Sequence, residues 1–347
     1  MISSSLNHYA HSDPAKLPPD HPDASWQPLA DHLRQVAALA EGFAREAGAD
    51  EQFVSRAHAL GLLHDFGKYT PEFQKLLRGE VKQAPHSAFG AALAHFRGRS
   101  PDLAFAVAGH HGGLPDPVPL RDRIAKVRTR LPDLWEAAVG DCPDLAGCLS
   151  LGAVNGDTLR FDCSTRILFS CLVDADRLDT AQHAGLGPLS PDTLNAAERL
   201  QGVLGMAAAK AMAMPDGPVK RARADVLEAC LAAACRSGPL FSLTVPTGGA
   251  KTLASMAFAL RRAELFPEQV RRIIVVIPFL SIIEQNANVY RQAMGDRAVL
   301  EHHSGIWDTD ENDRAYEHPL KRLAIENWSA PVIVTTSVRF IRCIVFK

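Results

Sequence analysis

Apolar residues recur three and four apart along most of positions 1–214, the period of helices that bury one face. The pattern predicts helices over about 29–48, 51–65, 87–96, 101–110 and 164–180, with no alternating strand pattern of comparable length. A further helical stretch, Pro191 to Met214, leads into Pro215-Asp-Gly-Pro218, a composition suited to a linker. After one more helix, about 219–236, the character changes. Apolar runs rich in β-branched residues (Phe241–Val245, Ile273–Ile277, Pro331–Thr335) alternate with helices, as in a parallel α/β sheet. Two domains are expected, a mainly α-helical one over 1–214 and a partial α/β one over 215–347. The 347 residues suffice for a core in each.

Polar residues interrupt the apolar stripes where they must face inward. On the first helix the stripe runs Leu29, Val36, Ala40, Phe43, and His32 lies on it, three residues after Leu29 and four before Val36. The next helix buries Phe53, Ala57 and Leu60, and His64 continues that series, with Gly67 as the expected C-terminal stop. A single inward histidine is more often a hydrogen-bonded core residue than a ligand. Here ten of the fourteen histidines lie between His8 and His111, which points instead to a shared cation. Asp65 follows His64 directly, so one turn of backbone offers a nitrogen and a carboxylate able to bridge two cations.

Other donors stand at helix ends. His86 precedes a helix whose N-cap is expected at Ser87. His110 and His111 close an apolar helix ahead of Gly112-Gly113. Adjacent side chains on a continuing helix diverge by roughly 100°, so only a helix end or turn lets both rings approach one centre. In the helix 164–180 an acid would be costly to bury without a cation, and spacing leaves Asp174 and Asp176 as open alternatives. Lys68 stands where its ammonium could meet a bound phosphate, or simply end a helix. Paired cations imply phosphodiester or phosphate chemistry, with His64, Asp65 and Lys68 as candidate catalytic groups. Mixed histidine and carboxylate donors suit two divalent transition metals drawn from iron, manganese, nickel and cobalt, zinc being the weaker candidate; the lack of cysteine donors argues against a structural zinc cage.

Composition narrows the setting. The net charge of -2 neither supports nor excludes nucleic acid. Seven cysteines without a CxxC pair are expected as reduced, mostly buried thiols. The N-terminal residues carry no apolar core of signal-peptide type, and the longest mainly apolar run, Ile273 to Ile283, is too short to span a bilayer. A cytoplasmic protein with no membrane partner is expected.

In the second half, Ser242 to Val245 reads as a strand leading into Pro246-Thr247-Gly248-Gly249-Ala250-Lys251-Thr252 and then a helix to about Arg262, the order of a nucleotide phosphate loop. Thr247, Gly248, Gly249 and Ala250 would line the phosphates, Lys251 would reach the β/γ-phosphates of ATP, and Thr252 would hold magnesium. Val245 stands where the full motif wants glycine. Ala250 replaces the glycine before the lysine, and its methyl is expected to crowd the phosphate or strain the backbone. No acidic strand end for the magnesium is visible.

With these residues in view, nearly the whole chain resembles the CRISPR-associated type I HD nuclease/helicase family. The carriers are DHLRQVA around His32, GLLHDFGKYTPEFQ around His64 and Asp65, HSAFGA at His86, GHHGG at His110 and His111, and LVDADRLDT. PTGGAKT, IPFLSIIEQ and IVTTSVRF follow. The resemblance implies a mainly α-helical HD domain followed by a partial α/β RecA-like (P-loop) domain. The family pattern selects Asp176 over Asp174. It implies that His32, His64, Asp65 and Asp176 hold one metal, and that Asp65 bridges to a second held by His86, His110 and His111. It further implies cleavage of single-stranded DNA displaced by an RNA-guided CRISPR surveillance complex, with an ATP-driven helicase feeding the strand. The sequence ends before the family's DExx motif and its second motor domain. A truncated helicase region that does not unwind alone is therefore expected, its remainder a candidate separate partner. Two other readings compete: an HD-family nucleotide phosphohydrolase or phosphodiesterase, against which the phosphate loop argues, and a non-catalytic remnant that docks on the surveillance complex, against which the intact donor set argues.

Overall fold

The computed structural model describes residues 8–152, 154, 156–185, 193–303, 328 and 330–345, with 342–345 as backbone alone. Pro191 and Asp192, at the start of an expected helix, and the thiol of Cys343 lie outside the described residues. The chain divides near residue 188 into two compact units.

The first unit carries β1 (Tyr9–His11), β2 (Gln27–Pro28), α1 (Leu29–Glu46), α2 (Glu51–Leu63), α3 (Pro71–Leu77), α4 (Ser87–Phe96), α5 (Pro101–Gly109), α6 (Pro117–Val127), α7 (Leu131–Asp141) and α8 (Thr158–His183). Its core forms where the apolar stripes meet: Leu29, Leu33, Val36, Ala37, Ala40 and Ala44 of α1 bury against α2 and α8, whose Leu60, Leu63, Leu168 and Leu172 are equally buried. Side-chain caps start the helices. Asp50 accepts from Phe53 N and Asp157 from Arg160 N, both at 2.8 Å. The pattern does not foretell β1 and β2, a short antiparallel pair that sets Tyr9 opposite Pro28 and His11 opposite Gln27. Three and two residues are too few to show a period.

Three local expectations shift, all beside the histidines. Helix α2 ends at Leu63 and His64 is its C-cap. Asp65, at φ -106° and ψ 15°, turns the chain into a 3-10 turn over Phe66–Tyr69. Gly67 lies inside that turn and does not stop the helix: a Cβ there would stand 2.1 Å from the carbonyl oxygen of His86, so glycine permits a backbone contact. The N-cap of α4 is His86, and Ser87 is the first helical residue.

The second unit contains α9 (Ala196–Met212), α10 (Pro218–Ala234), α11 (Lys251–Leu265), β3 (Ile273–Ile277), α12 (Leu280–Met294), β4 (Val299–His302) and β5 (Val332–Thr336), after which comes α13 (Ser337–Val345). The strands form a parallel sheet in the order β3-β5-β4, with Ile273 and Val299 both level with Val332. The expected strand over Phe241–Val245 is not formed, and among the described residues this segment has no ladder partner. Leu240 and Phe241 are exposed, so the apolar run is not matched by burial. Helix α9, which the linker composition assigns to the first domain, packs its Leu200 and Val203 into the core of the second unit with Leu260, Ile283 and Val334. Among the described residues no helix is long and apolar enough to cross a membrane.

Candidate metal centre

Five elements of the first unit aim seven side chains at one place. His32 comes from the buried face of α1, His64 from the end of α2 and Asp65 from the turn after it. His86 caps α4, His110 caps α5 with His111 next in the turn, and Asp176 comes from α8. The turn after α5 is closed by Gly112 N and Gly113 N, which both donate to Gly109 O, and Gly113 has φ +90°. That reversal brings both adjacent rings to the same centre, which a continuing helix could not do.

The donors form two sets. In the first, His32 Nε2 lies 3.2 Å from His64 Nε2, 3.2 Å from Asp65 Oδ2 and 3.5 Å from Asp176 Oδ1. His64 Nε2 lies 3.3 Å from Asp65 Oδ2 and 3.6 Å from Asp176 Oδ1. Donors about 2.1 Å from a shared tetrahedral ion stand roughly 3.4 Å apart, the spacing found here. In the second set Asp65 Oδ1 is 3.1 Å from His86 Nε2 and 3.4 Å from His110 Nε2, and His86 Nε2 is 2.8 Å from His111 Nε2. Asp65 thus offers one oxygen to each set. Asp174 joins neither.

The surroundings fit cations. His32 Nδ1 is 2.5 Å from Asp179 Oδ2, His64 Nδ1 is 2.7 Å from Gly61 O, and His110 Nδ1 is 2.7 Å from Val107 O. Each acceptor places the ring proton on Nδ1 and leaves the Nε2 lone pair facing the centre. The lone pairs of His32 and His64 therefore point at each other across 3.2 Å, an arrangement that a cation or proton must relieve. In the second set the buried Asp65 Oδ1 and His110 Nε2 have no hydrogen-bond partner. Without a metal, burial opposes charge on His64, but the carboxylates of Asp65 and Asp176 outweigh it and raise the imidazole to about 10. Burial likewise opposes charge on Asp65, and Lys68 with His64 holds it well below the usual carboxylate range. Burial and the neighbouring His110 push His111 down to about 4, so it is a neutral donor at neutral pH.

Lys68 does not reach toward open space. Its buried ammonium sits 2.6 Å from Asp65 Oδ2 and donates to Ala10 O at 3.1 Å. Three supporting residues escape the sequence reading. Asp179 orients His32 and is itself held by Gln27 Nε2 at 2.7 Å, and the ring of His11 stands edge-on to His32 with centroids 5.0 Å apart. Asp179 is three residues after Asp176, one helical turn along the same face, which was the available signal.

The phosphate-loop residues Thr247 to Thr252 precede and open α11, which begins at Lys251. Gly248 has φ +86°. Ala250 has φ 61° and ψ 29°, the left-handed region that costs a non-glycine residue roughly 1–2 kcal/mol. The strain expected of the methyl is thus present. Lys251 Nζ donates to Val245 O at 2.9 Å, folding its ammonium back over the loop.

Residues 29–129 match the HD domain family. Ribonuclease Y of Cutibacterium acnes is 38% identical over 100 residues, 29% of this chain and 16% of that protein. Ribonuclease Y of Desulforudis audaxviator is 42% identical over 81 residues, 23% of this chain and 14% of that protein. The chain thus spans about a sixth or less of these relatives. A crystal structure of T. fusca Cas3 with AMPPNP aligns with 90% of this chain and 42% of its own, with TM-score 0.51 and 17% identity. A crystal structure of a CRISPR-associated protein covers 78% of this chain and 36% of its own, with TM-score 0.45 and 18% identity. The chain therefore carries an HD domain, of a family of metal-dependent phosphohydrolases, within a Cas3-like fold.

Proposed function

We propose that the HD domain of this Cas3-like chain is a metal-dependent nuclease that cuts single-stranded DNA in type I CRISPR interference. The observation that carries this reading is Asp65: its two oxygens face two donor sets, so one buried carboxylate would be shared between two cations. His32, His64, Asp65 and Asp176 would hold one divalent cation, and Asp65, His86, His110 and His111 the other. When bound, the pair would supply Lewis acidity toward a phosphoryl oxygen and acidify a water.

The remaining work belongs to the protein. Asp179, Gly61 O and Val107 O hold three imidazoles in the donor tautomer. Lys68 stabilises the ionised form of Asp65. His11 and β1 cover the buried set. His111 is exposed, so a strand would approach from the second set. Iron, manganese, nickel or cobalt would suit these mixed nitrogen and oxygen donors, with zinc the weaker candidate of this reading. The strand would be delivered by an RNA-guided surveillance complex. The loop from Thr247 to Thr252 would take ATP with magnesium, and the strained Ala250 would weaken that binding. Cleavage itself asks nothing of the loop.

The test is cleavage of circular single-stranded DNA without ATP, in manganese, nickel, cobalt or ferrous iron, by wild type and Asp65→Ala. Metal-dependent cutting lost in the variant is expected. A folded, metal-loaded wild type that leaves DNA circles intact would overturn the reading. The ribonuclease Y likeness across the HD segment favours RNA as a second substrate. Circular RNA run in parallel separates the two, and turnover of free nucleotides alone would identify a small-substrate phosphohydrolase.

A further inference from the structure

Beside the second donor set the first unit opens into a cleft of about 550 Å³. Its wall includes Ser87, Ala108, His111, Gly113, Asp116 and Arg123. Arg123 comes from α6 and reaches back to the two turns that carry metal donors. Its Nη2 donates to Ser87 Oγ at 2.9 Å and to Ala108 O at 3.3 Å. Ser87 adjoins His86, and Ala108 stands two residues before His110. Both bonds use one nitrogen. Nε and Nη1 have no partner among the described residues, and no carboxylate there, Asp116 included, pairs with this half-buried guanidinium. A fixed guanidinium with two free donor directions and no counter-ion suits a phosphate.

We propose that Arg123 binds a backbone phosphate next to the scissile one, which makes this cleft the subsite for the adjoining nucleotide. The inference rests on the nuclease reading and adds how the strand is seated. The residue holds the substrate in register and has no part in activating the water. Its loss should therefore appear in KM more than in kcat.

The test uses the full chain loaded with manganese and a short single-stranded DNA in which each phosphate flanking the scissile one is replaced in turn by a neutral methylphosphonate. Wild type, Arg123→Gln and Arg123→Lys are compared, with metal content measured for each. One replacement should raise the wild-type KM about tenfold, the worth of a charge-assisted contact. Arg123→Gln should raise KM by a similar factor on the all-phosphate strand and show no further penalty from that same replacement. Arg123→Lys keeps the charge without the planar fork and should fall between, and it carries the test if the glutamine variant does not fold. Additive penalties would overturn the proposal and leave Arg123 as a clasp between α6 and the turns. So would a joint fall in kcat and metal content with no sensitive phosphate. A metal-loaded wild type that cuts no strand would fell the nuclease reading and this subsite together; a wild type that cuts while the variants match it at every position would fell the subsite alone.

Discussion

Asp179 touches no cation position, yet it decides what His32 offers. Its carboxylate accepts the hydrogen bond from Nδ1–H and turns Nε2 toward the centre, while Gln27 holds the carboxylate in place. Asp179→Asn removes the charge that favours this tautomer. Metal affinity should fall about 10–100-fold, as for other outer partners of metal-binding imidazoles; competition with a chromogenic chelator measures it, and an unchanged affinity would show that Asp179 only packs. His64 gives a pH prediction. Its imidazole is raised to about 10 in the metal-free protein, where burial is outweighed by Asp65 and Asp176. A raised histidine stabilises the fold fully below its unfolded value of about 6.5 and loses that contribution as pH rises through the folded value. Metal-free protein should lose stability between about pH 6.5 and 10, and His64→Asn should flatten that slope in chemical denaturation. The inward direction of His32 and His64 is legible in the sequence because each continues an apolar stripe. The choice between Asp174 and Asp176 is not, since residues two apart on a helix point roughly 200° apart and the packing of α8 against α1, α2 and α5 selects the face.

Element ends, more than element interiors, build the site. His64, His86 and His110 are cap residues, and Asp65 and His111 lie in turns. Caps are where side chains leave the helical raster and where close backbone contacts set position. Gly67 is the clearest instance, because its missing Cβ lets the His86 carbonyl approach. Gly67→Ala should push the His86 turn away from Asp65 and cost about 2–3 kcal/mol or more, as overpacking does. The variant should lose the metal of the second set while keeping that of the first, read by metal analysis beside thermal melting. Retention of both metals at wild-type stability would refute the contact's role. The sequence signals Gly67 only as a glycine after an apolar helix, which fits a C-terminal stop equally well. The same limit explains the segment 241–245. Its composition is that of a strand, but a strand exists through its ladder, and no local pattern reports a missing neighbour.

At the scale of the whole chain, the two donor sets and the loop Thr247–Thr252 rest on separate cores. The buried residues that support the seven donors run from Ala10 to Ala175, while those beneath the phosphate loop run from Leu194 to Val334. The sequence shows this division through its change of period, but places it at the Pro215–Pro218 linker, because a proline-glycine turn announces itself and the partner of a helix such as α9 does not. Ligands that bind one folded core stabilise that core alone. Calorimetry of the chain should show two transitions. Manganese at a hundred times its dissociation constant adds about 2.7 kcal/mol, so one transition should rise by about 5–10 °C for a unit of this size while the other stays. Magnesium with a non-hydrolysable ATP analogue should move only the second, and by less, given the left-handed Ala250. A single transition that shifts as a whole with manganese would mean that the two cores unfold as one, and the metal centre could then not be treated as the property of the first unit.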